Sequence, residues 1–445
     1  MKNRQIKRAF SLIMLVFILA SSLLIFPASA ASEPTPPTPE NCRAACLYNK
    51  THNKMLLMTN EEALLSTSTS AKVTMGLVAC EMLKDRLDEK VTITASMLQG
   101  ENNYASKMDP PLAVGEEIKI KDLLYGAICG SRNDAGYAIA SICAGSYQEF
   151  AKLMTDRAKS LGATSTKYTN PLGYPDNSSM VTTLADTLKI AVAASENELY
   201  MEISSAKSHN IPATNLSGAR TVYNRNYLIS SRSTTAYYNA ACSGMNAGIS
   251  SDEAGWSIIT LARDEGIEYI CIVLGGSESE DGSQIYAYET ANKLIKWACS
   301  TYNMQKIYDK GTVVGKAEVG MTALGSAKVD CVTLEDLNIY ITKQSNPDIS
   351  YHIEYDTEKL VAPIKAGERI GVVKVYSDGQ LVGECPVALT KDCESNGVMQ
   401  AIAAVGNYTK SRAFIAALII FVILLPVVLY FSTKGQRHRG KYRRY

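Results

Sequence analysis

Histidine and cysteine are the residues through which a chain most readily relays a proton or holds a metal. Here the four histidines, His52, His209, His352 and His438, stand apart from any cysteine or acid at ligand spacing. No zinc site is expected, and with so few histidines neither is a Ser-His-Asp relay. Eleven cysteines would suggest disulfides in an exported protein, but they are scattered and odd in number, so at least one thiol has no partner within the chain. Cys46, Cys80, Cys143, Cys271 and Cys299 fall in apolar periodic runs, where a cysteine serves as a small core residue. The Ser/Thr run Ser66 to Ser70 reads as capping for the helix that follows it.

The elements around these residues are ordinary for a folded protein. Charged residues make up 20% and hydrophobic ones 46% of 445 residues, which excludes wholesale disorder and leaves room for several domains. The net charge of +1 hides an asymmetry: residues 1–30 carry +4 and residues 410–445 carry +8, leaving −11 for the body between them. An acidic body argues against a nucleic-acid partner.

Ala45 to Tyr48 and Lys54 to Met58 read as strands about the turn Asn49–Asn53. A helix is predicted with Val73, Leu77, Cys80, Leu83 and Leu87 on one face. Further helices are predicted at Lys121 to Cys129, Asp134 to Ala144, Tyr147 to Leu161 and Thr183 to Ala194. Trp256 to Arg263 and Ile267 to Leu274 form a hairpin about Asp264-Glu265-Gly266, followed by a helix over Ile285 to Tyr302. Strands, then helices, then strands and a helix predict an α+β domain on an antiparallel sheet. From Gly311 to about Leu389 the pattern becomes short strands alone, among them Val329 to Leu334, Leu337 to Thr342, Ile349 to Tyr355 and Ile370 to Tyr376, so a small all-β domain is expected.

Several stretches carry a resemblance to a known family: LLYGAICGSRNDAGYAIA, AVGEEIKIKDLL, AKSLGATSTKYTNPLGYPD, AGWSIITLARDEG and APIKAGERIGVVKVYSDGQLVGECPVAL. Over about residues 42–395 the chain resembles the low-molecular-mass penicillin-binding proteins that act as D-alanyl-D-alanine carboxypeptidases. The resemblance implies a serine β-lactamase/transpeptidase-like domain followed by a small all-β domain. It also implies three motifs: Ser-x-x-Lys at a helix start, Ser-x-Asn on a loop and Lys-Thr-Gly on a strand. In the family the serine is acylated, the lysine takes its proton, the Ser-x-Asn pair positions substrate and relays protons, and the Lys-Thr-Gly strand binds the terminal carboxylate.

Carried onto this sequence residue by residue, the second motif stands as Ser131-Arg132-Asn133. The first departs: Lys72 falls on the lysine, and Thr69 stands at the nucleophile position in Thr69-Ser70-Ala71-Lys72. A threonine brings a stiff χ1 and a methyl group to a crowded helix start. Ser68, at i, i+4 from Lys72, is the other candidate hydroxyl, although a serine there reads first as an N-cap, and Ser70 points to another face. The third motif departs further, with Asn246, Ala247 and Gly248 where Lys, Thr and Gly belong. Losing one charge-assisted hydrogen bond to a carboxylate costs ~1.5–3 kcal/mol. The amides of Ile249 and Thr69 remain as donors for an oxyanion, because backbone N–H groups survive side-chain changes. Arg132, at the variable position of its motif, reads as a solvent-facing arginine or as a substitute cation for the carboxylate. Leu172 stands where the family has histidine in Asn-Pro-His-Gly.

Two readings follow. In one the chain is a catalytically impaired homologue, a pseudoenzyme that binds the peptidoglycan stem peptide or a cell-wall protein partner. In the other it is an active serine-type carboxypeptidase that removes terminal D-Ala through an acyl-enzyme. Neither calls for a metal or other cofactor.

The ends predict location. Residues 1–30 read as a cleavable signal peptide, with a basic start, an apolar run from Ala9 to Phe26 and Ala28-Ser29-Ala30 at the cut. Residues 31–41 are a Pro-rich spacer, 42–303 the carboxypeptidase-like domain, 304–392 the β domain and 393–412 a linker. Residues 413–431 form an uncharged stretch long enough to span a bilayer, and 432–445 a basic tail held in the cytoplasm. A single-pass cell-membrane protein with its body outside the cytoplasm is expected.

Overall fold

The computed structural model describes residues 34–426 apart from 100–105, 175–179, 231–235, 250, 253, 323–324, 344–347, 396, 399–400, 402–418, 421 and 423. The signal peptide, the basic tail and most of the predicted span lie outside the described residues. Among the described residues no helix is long and apolar enough to cross a membrane. Two compact units emerge, one from Ser32–Met304 with Tyr340–Ser345, the other from Gln305–Ile339 with Asn346 onward. Residues 340–345 thus join the first unit although they lie beyond its main stretch.

The first unit is built on five antiparallel strands: β1 (Ala44–Asn49), β2 (Lys54–Met58), β3 (Cys242–Ile249), β4 (Trp256–Asp264) and β5 (Ile267–Gly276), in the order β2-β1-β5-β4-β3. The β4–β5 turn holds Glu265 at φ 48° and Gly266 at φ 83°, the pair of positive φ values that a two-residue hairpin turn requires. Along these strands alternate residues point to opposite faces. Ala44, Cys46, Ile259, Leu261, Ile270 and Ile272 enter one apolar core, while Ala45, Leu47, Ile258, Ala262, Tyr269 and Cys271 enter another.

The helices divide between the two faces. α1 (Ser68–Leu83), α2 (Ile120–Ile128), α3 (Asn133–Ala144), α4 (Tyr147–Ser160), α5 (Leu184–Glu196) and α6 (Glu198–Ser205) pack in the first core. α7 (Tyr286–Thr301) covers the second with Ala287, Ala291, Leu294, Ile295 and Ala298. α1 differs from its one-faced expectation. Ala71, Val73, Met75, Leu77, Val78, Ala79, Cys80 and Leu83 are all buried, and Leu87 falls beyond its end. A helix apolar all round is a central helix, and this one is surrounded by α2 to α6 and the strands β3 and β4. Its cap position is Thr67, with no side-chain capping bond, so Ser68 opens the helix and is not its N-cap. All eleven cysteines are free thiols.

The second unit contains a six-stranded sheet. Its strands are β6 (Val313–Thr322), β7 (Gly325–Thr333), β8 (Ile349–Tyr355), β9 (Leu360–Val361), β10 (Arg369–Ser377) and β11 (Gln380–Leu389), in the order β8-β10-β11-β7-β6-β9. All pairs are antiparallel except β6 with β9.

Candidate active site

Three pieces of the first unit converge: the start of α1, the loop between α2 and α3, and the end of β3. The first turn of α1 carries Thr69 and Lys72 three residues apart, on one face, with backbone N–H groups that have no acceptor within the helix. Thr69 is buried, and its hydroxyl donates to the carbonyl of Ser257 on β4 at 3.1 Å. Ser70 turns elsewhere, toward the Tyr168 hydroxyl at 3.1 Å. The side chain of Ser68 is outside the described ones.

Lys72 joins the helix start to the Ser131 loop. Its Nζ donates to Ser131 Oγ at 2.8 Å and lies 3.4 Å from the Ser131 carbonyl. Burial, reinforced by the nearby charges of Arg225 and Arg132, pulls its pKa down to about 7. An amine with that pKa is about half unprotonated at neutral pH and suited to accept a proton.

The loop that presents Ser131 is held tightly. Gly130 N donates to Tyr125 O and Arg132 N to Gly126 O, both at 2.9 Å, and Asn133 N donates to Ser106 O at 2.7 Å. Ser131 itself sits at φ 50°, a conformation that costs a non-glycine residue on the order of 1 kcal/mol and persists where the surroundings impose it. The Asp134 carboxylate, buried at the start of α3, accepts from the amides of Met108, Leu112 and Ala135 and ties the preceding segment down. Asn133 is fully buried; its Nδ2 donates to the Tyr174 hydroxyl at 2.6 Å, while its Oδ1 has no hydrogen-bond partner.

Arg132 does not reach freely into solvent. It is half-buried, donates from Nη1 to Ser106 Oγ at 3.0 Å and leaves Nε unpartnered. Burial and the neighbouring Arg225 charge lower its pKa.

β3 closes the other wall. Asn246, Ala247, Gly248 and Ile249 pair with Ile259, Ile258, Ser257 and Trp256 of β4. Strand alternation therefore separates the third-motif residues. Asn246 and Gly248 face the cleft, whereas Ala247 packs with Ile258 in the core on the α7 side and is not brought to the site. Asn246 is 6% exposed and its Oδ1 has no partner. A Cβ on Gly248 would meet nothing within 4 Å.

Thr69, Lys72, Leu172, Tyr174, Asn246, Gly248 and Ile249 line the cleft, whose enclosed space is about 10 Å³, room for about one water molecule. Leu172 fills the histidine position as a buried apolar plug. Its Cδ2 would lie 2.6 Å from a Cβ on Gly136, so a larger residue there would push the Leu172 side chain aside. Sequence reasoning did not single out Tyr174, Ser257, Ser106 or Arg225. Tyr174 lies within a family-like stretch, but Ser257 acts through its carbonyl, a group every residue carries.

Comparison with known proteins shows the family and the fold. The family described as D-alanyl-D-alanine carboxypeptidase matches residues 30–278, and the C-terminal domain of penicillin-binding protein 5 matches residues 302–395. The D-alanyl-D-alanine carboxypeptidase DacF of Bacillus subtilis is 25% identical over 385 residues, covering 83% of this chain and 90% of its own. Among solved structures, penicillin-binding protein 5 of Haemophilus influenzae superposes with a TM-score of 0.58 at 22% identity, over 81% of this chain and 100% of that one. A peptidoglycan synthesis regulatory factor of Streptococcus pneumoniae superposes with a TM-score of 0.61 at 19% identity, over 80% of this chain and 99% of that one.

Proposed function

The chain belongs to the D-alanyl-D-alanine carboxypeptidase family, with a β-lactamase/transpeptidase-like α+β unit and a C-terminal β domain, and from that premise we propose that it is a catalytically impaired member that binds the peptidoglycan stem peptide. One observation carries the reading. Lys72 is the only charged side chain among the described residues lining the cleft, and it is already committed to Ser131. The position that holds the carboxylate-binding lysine in the family is a neutral, buried Asn246. The hydroxyl at the nucleophile position is engaged with a backbone carbonyl, so attack requires that bond to break first.

A second reading rests on a different observation: the base is intact. Lys72, with its pKa near 7, is suited to take the Thr69 proton as Oγ1 attacks the penultimate D-Ala carbonyl. The tetrahedral adduct then collapses, the C–N bond to the terminal D-Ala breaking as its nitrogen takes the proton held on Lys72, and water hydrolyses the acyl-threonine. Labelling of the full-length protein with a fluorescent penicillin, followed by intact mass, separates the two. The impaired reading expects no stable adduct within an hour, whereas an adduct on Thr69 within minutes makes the active reading correct.

The proposed location is the outer face of the cell membrane, supported by the signal-like start, the uncharged stretch 413–431 and the basic tail. Protease added to intact spheroplasts should remove the body and spare a tail epitope. Loss of the tail epitope instead would refute this topology.

A further inference from the structure

Asn133, at the position that helps to place substrate in the family, does not face the cleft. It is fully buried, and neither it nor Ser131 lines the cleft wall. Tyr174 lines that wall instead, and its hydroxyl accepts from Asn133 Nδ2 at 2.6 Å. One side chain thus borders the cleft and touches Asn133 at its tip, so a ligand in the cleft meets the tyrosine first.

Tyr174 is held there at both ends. Its backbone carbonyl accepts from Asn170 Nδ2 at 2.7 Å, while Asn170 Oδ1 accepts from the amides of Leu172 and Gly173 at 3.1 and 3.0 Å. Asn170 is itself buried. A buried amide side chain that satisfies three backbone groups of one turn fixes the direction in which the chain leaves that turn. Beside Tyr174 in this turn, Leu172 packs against α3 at Gly136. The hydroxyl is therefore aimed at Asn133 by its own turn as well as by the bond it accepts.

The bond has a consequence for any peptide in the cleft. A peptide carbonyl oxygen is an acceptor, as the tyrosine oxygen is here, so the two compete for one donor. Asn133 Oδ1 is buried without a partner and offers the ligand no second route.

Resting on the reading that the cleft takes stem-type peptides, we propose that Tyr174 is a built-in latch: its hydroxyl occupies the Asn133 amide that a peptide carbonyl would otherwise use, and a stem peptide is gripped through Asn133 only when the Tyr174 side chain swings out. Giving up one net hydrogen bond to open the latch weakens binding by roughly 2- to 12-fold, which sets the gain expected when the latch is removed.

The test uses the full-length protein in detergent, with Nα,Nε-diacetyl-Lys-D-Ala-D-Ala as the probe, titrated by calorimetry. Tyr174→Ala should bind the probe at least about twofold tighter than the wild type. Tyr174→Phe, which keeps the ring and removes only the hydroxyl, should show part of that gain. Because the gain runs through the Asn133 amide, it should vanish when Asn133→Leu, which fills similar space without a donor, is combined with Tyr174→Ala and compared with Asn133→Leu alone. Asn133→Asp, which also removes the donor, replaces Asn133→Leu if the latter does not fold, and Tyr174→Phe replaces Tyr174→Ala on the same terms. If the Tyr174 variant binds no tighter than the wild type, or keeps its gain without the Asn133 donor, the latch is overturned while stem-peptide binding stands. If neither the wild type nor the Tyr174 variants bind the probe at millimolar concentration, the stem-peptide reading falls and takes this inference with it.

Discussion

The two walls of the cleft have diverged in opposite ways. On the α1–α3 wall, Lys72, Ser131, Asn133 and Tyr174 form a continuous chain of side chains and backbone, with contacts of 2.8 Å and 2.6 Å at its two side-chain links. It is fixed by a strained Ser131 and the buried Asp134 brace. On the β3 wall the backbone of the strand is intact and paired, but Asn246 ends in an orphaned oxygen and Ala247 contributes only to the far core. A tightly held set of polar groups thus stands beside a strand whose cleft-facing side chain is neutral. Such strain and burial cost stability, so the α1–α3 wall is where stability and any function of the cleft should trade against each other.

The largest expected effect comes from repairing the β3 wall. Because Ala247 faces away from the cleft, the informative double variant is Thr69→Ser with Asn246→Lys. It should raise penicillin acylation about 100-fold over wild type, in line with regaining one charge-assisted bond and an unhindered hydroxyl. Thr69→Ser alone should gain no more than about threefold. Acylation rates read by gel fluorescence decide it, and equal gains in the single and double variants would show that the two walls are not the relevant division. Effects within one catalytic unit are not additive, so the single variants bound the double rather than predict it.

The next effect is on stability. Burial holds the Lys72 pKa at about 7, below its unfolded value of 10.5. Between those values the unfolded chain binds more protons at this residue than the native one, so the penalty is full below pH 7 and fades as pH rises toward 10.5. Lys72→Met should therefore stabilise the protein by about 2 kcal/mol at pH 6, after allowance for the lost Ser131 bond. The gap between variant and wild-type melting curves should close as pH climbs to 10. A gap independent of pH would mean that Lys72 stays protonated in the cleft.

The smallest effect is expected at the far link of the intact wall. Tyr174→Phe removes the acceptor of the Asn133 Nδ2 bond and leaves a second unmatched group on that side chain, at a cost of about 1 kcal/mol. Denaturant midpoints should fall accordingly. No change would place Asn133 among the positions that solvent satisfies.

Much of the first unit was legible from periodicity. The predicted strand Lys54 to Met58 and the hairpin about Glu265 and Gly266 stand where alternation and turn residues put them, because those signals are local. α6 escaped notice, since an eight-residue helix carries little more than two turns of pattern. α1 was placed correctly but expected to bury one face, because a central helix and an amphipathic one differ only in what the rest of the chain packs around them.

At the site the division is similar. Chain order alone determined that a lysine and a hydroxyl share a helix face, that Ser131 and Asn133 flank an arginine, and that the third motif has no cation. These are facts of residue type and short spacing. Only the tertiary structure decided that Lys72 is desolvated enough for its pKa to be pulled down to about 7, that the Thr69 hydroxyl is engaged by a carbonyl 188 residues away, and that Asn246 faces the cleft while Ala247 does not. The physical reason is that desolvation, strand register and hydrogen-bond partnership depend on which distant segments meet, and a single sequence read along its length holds no measure of that.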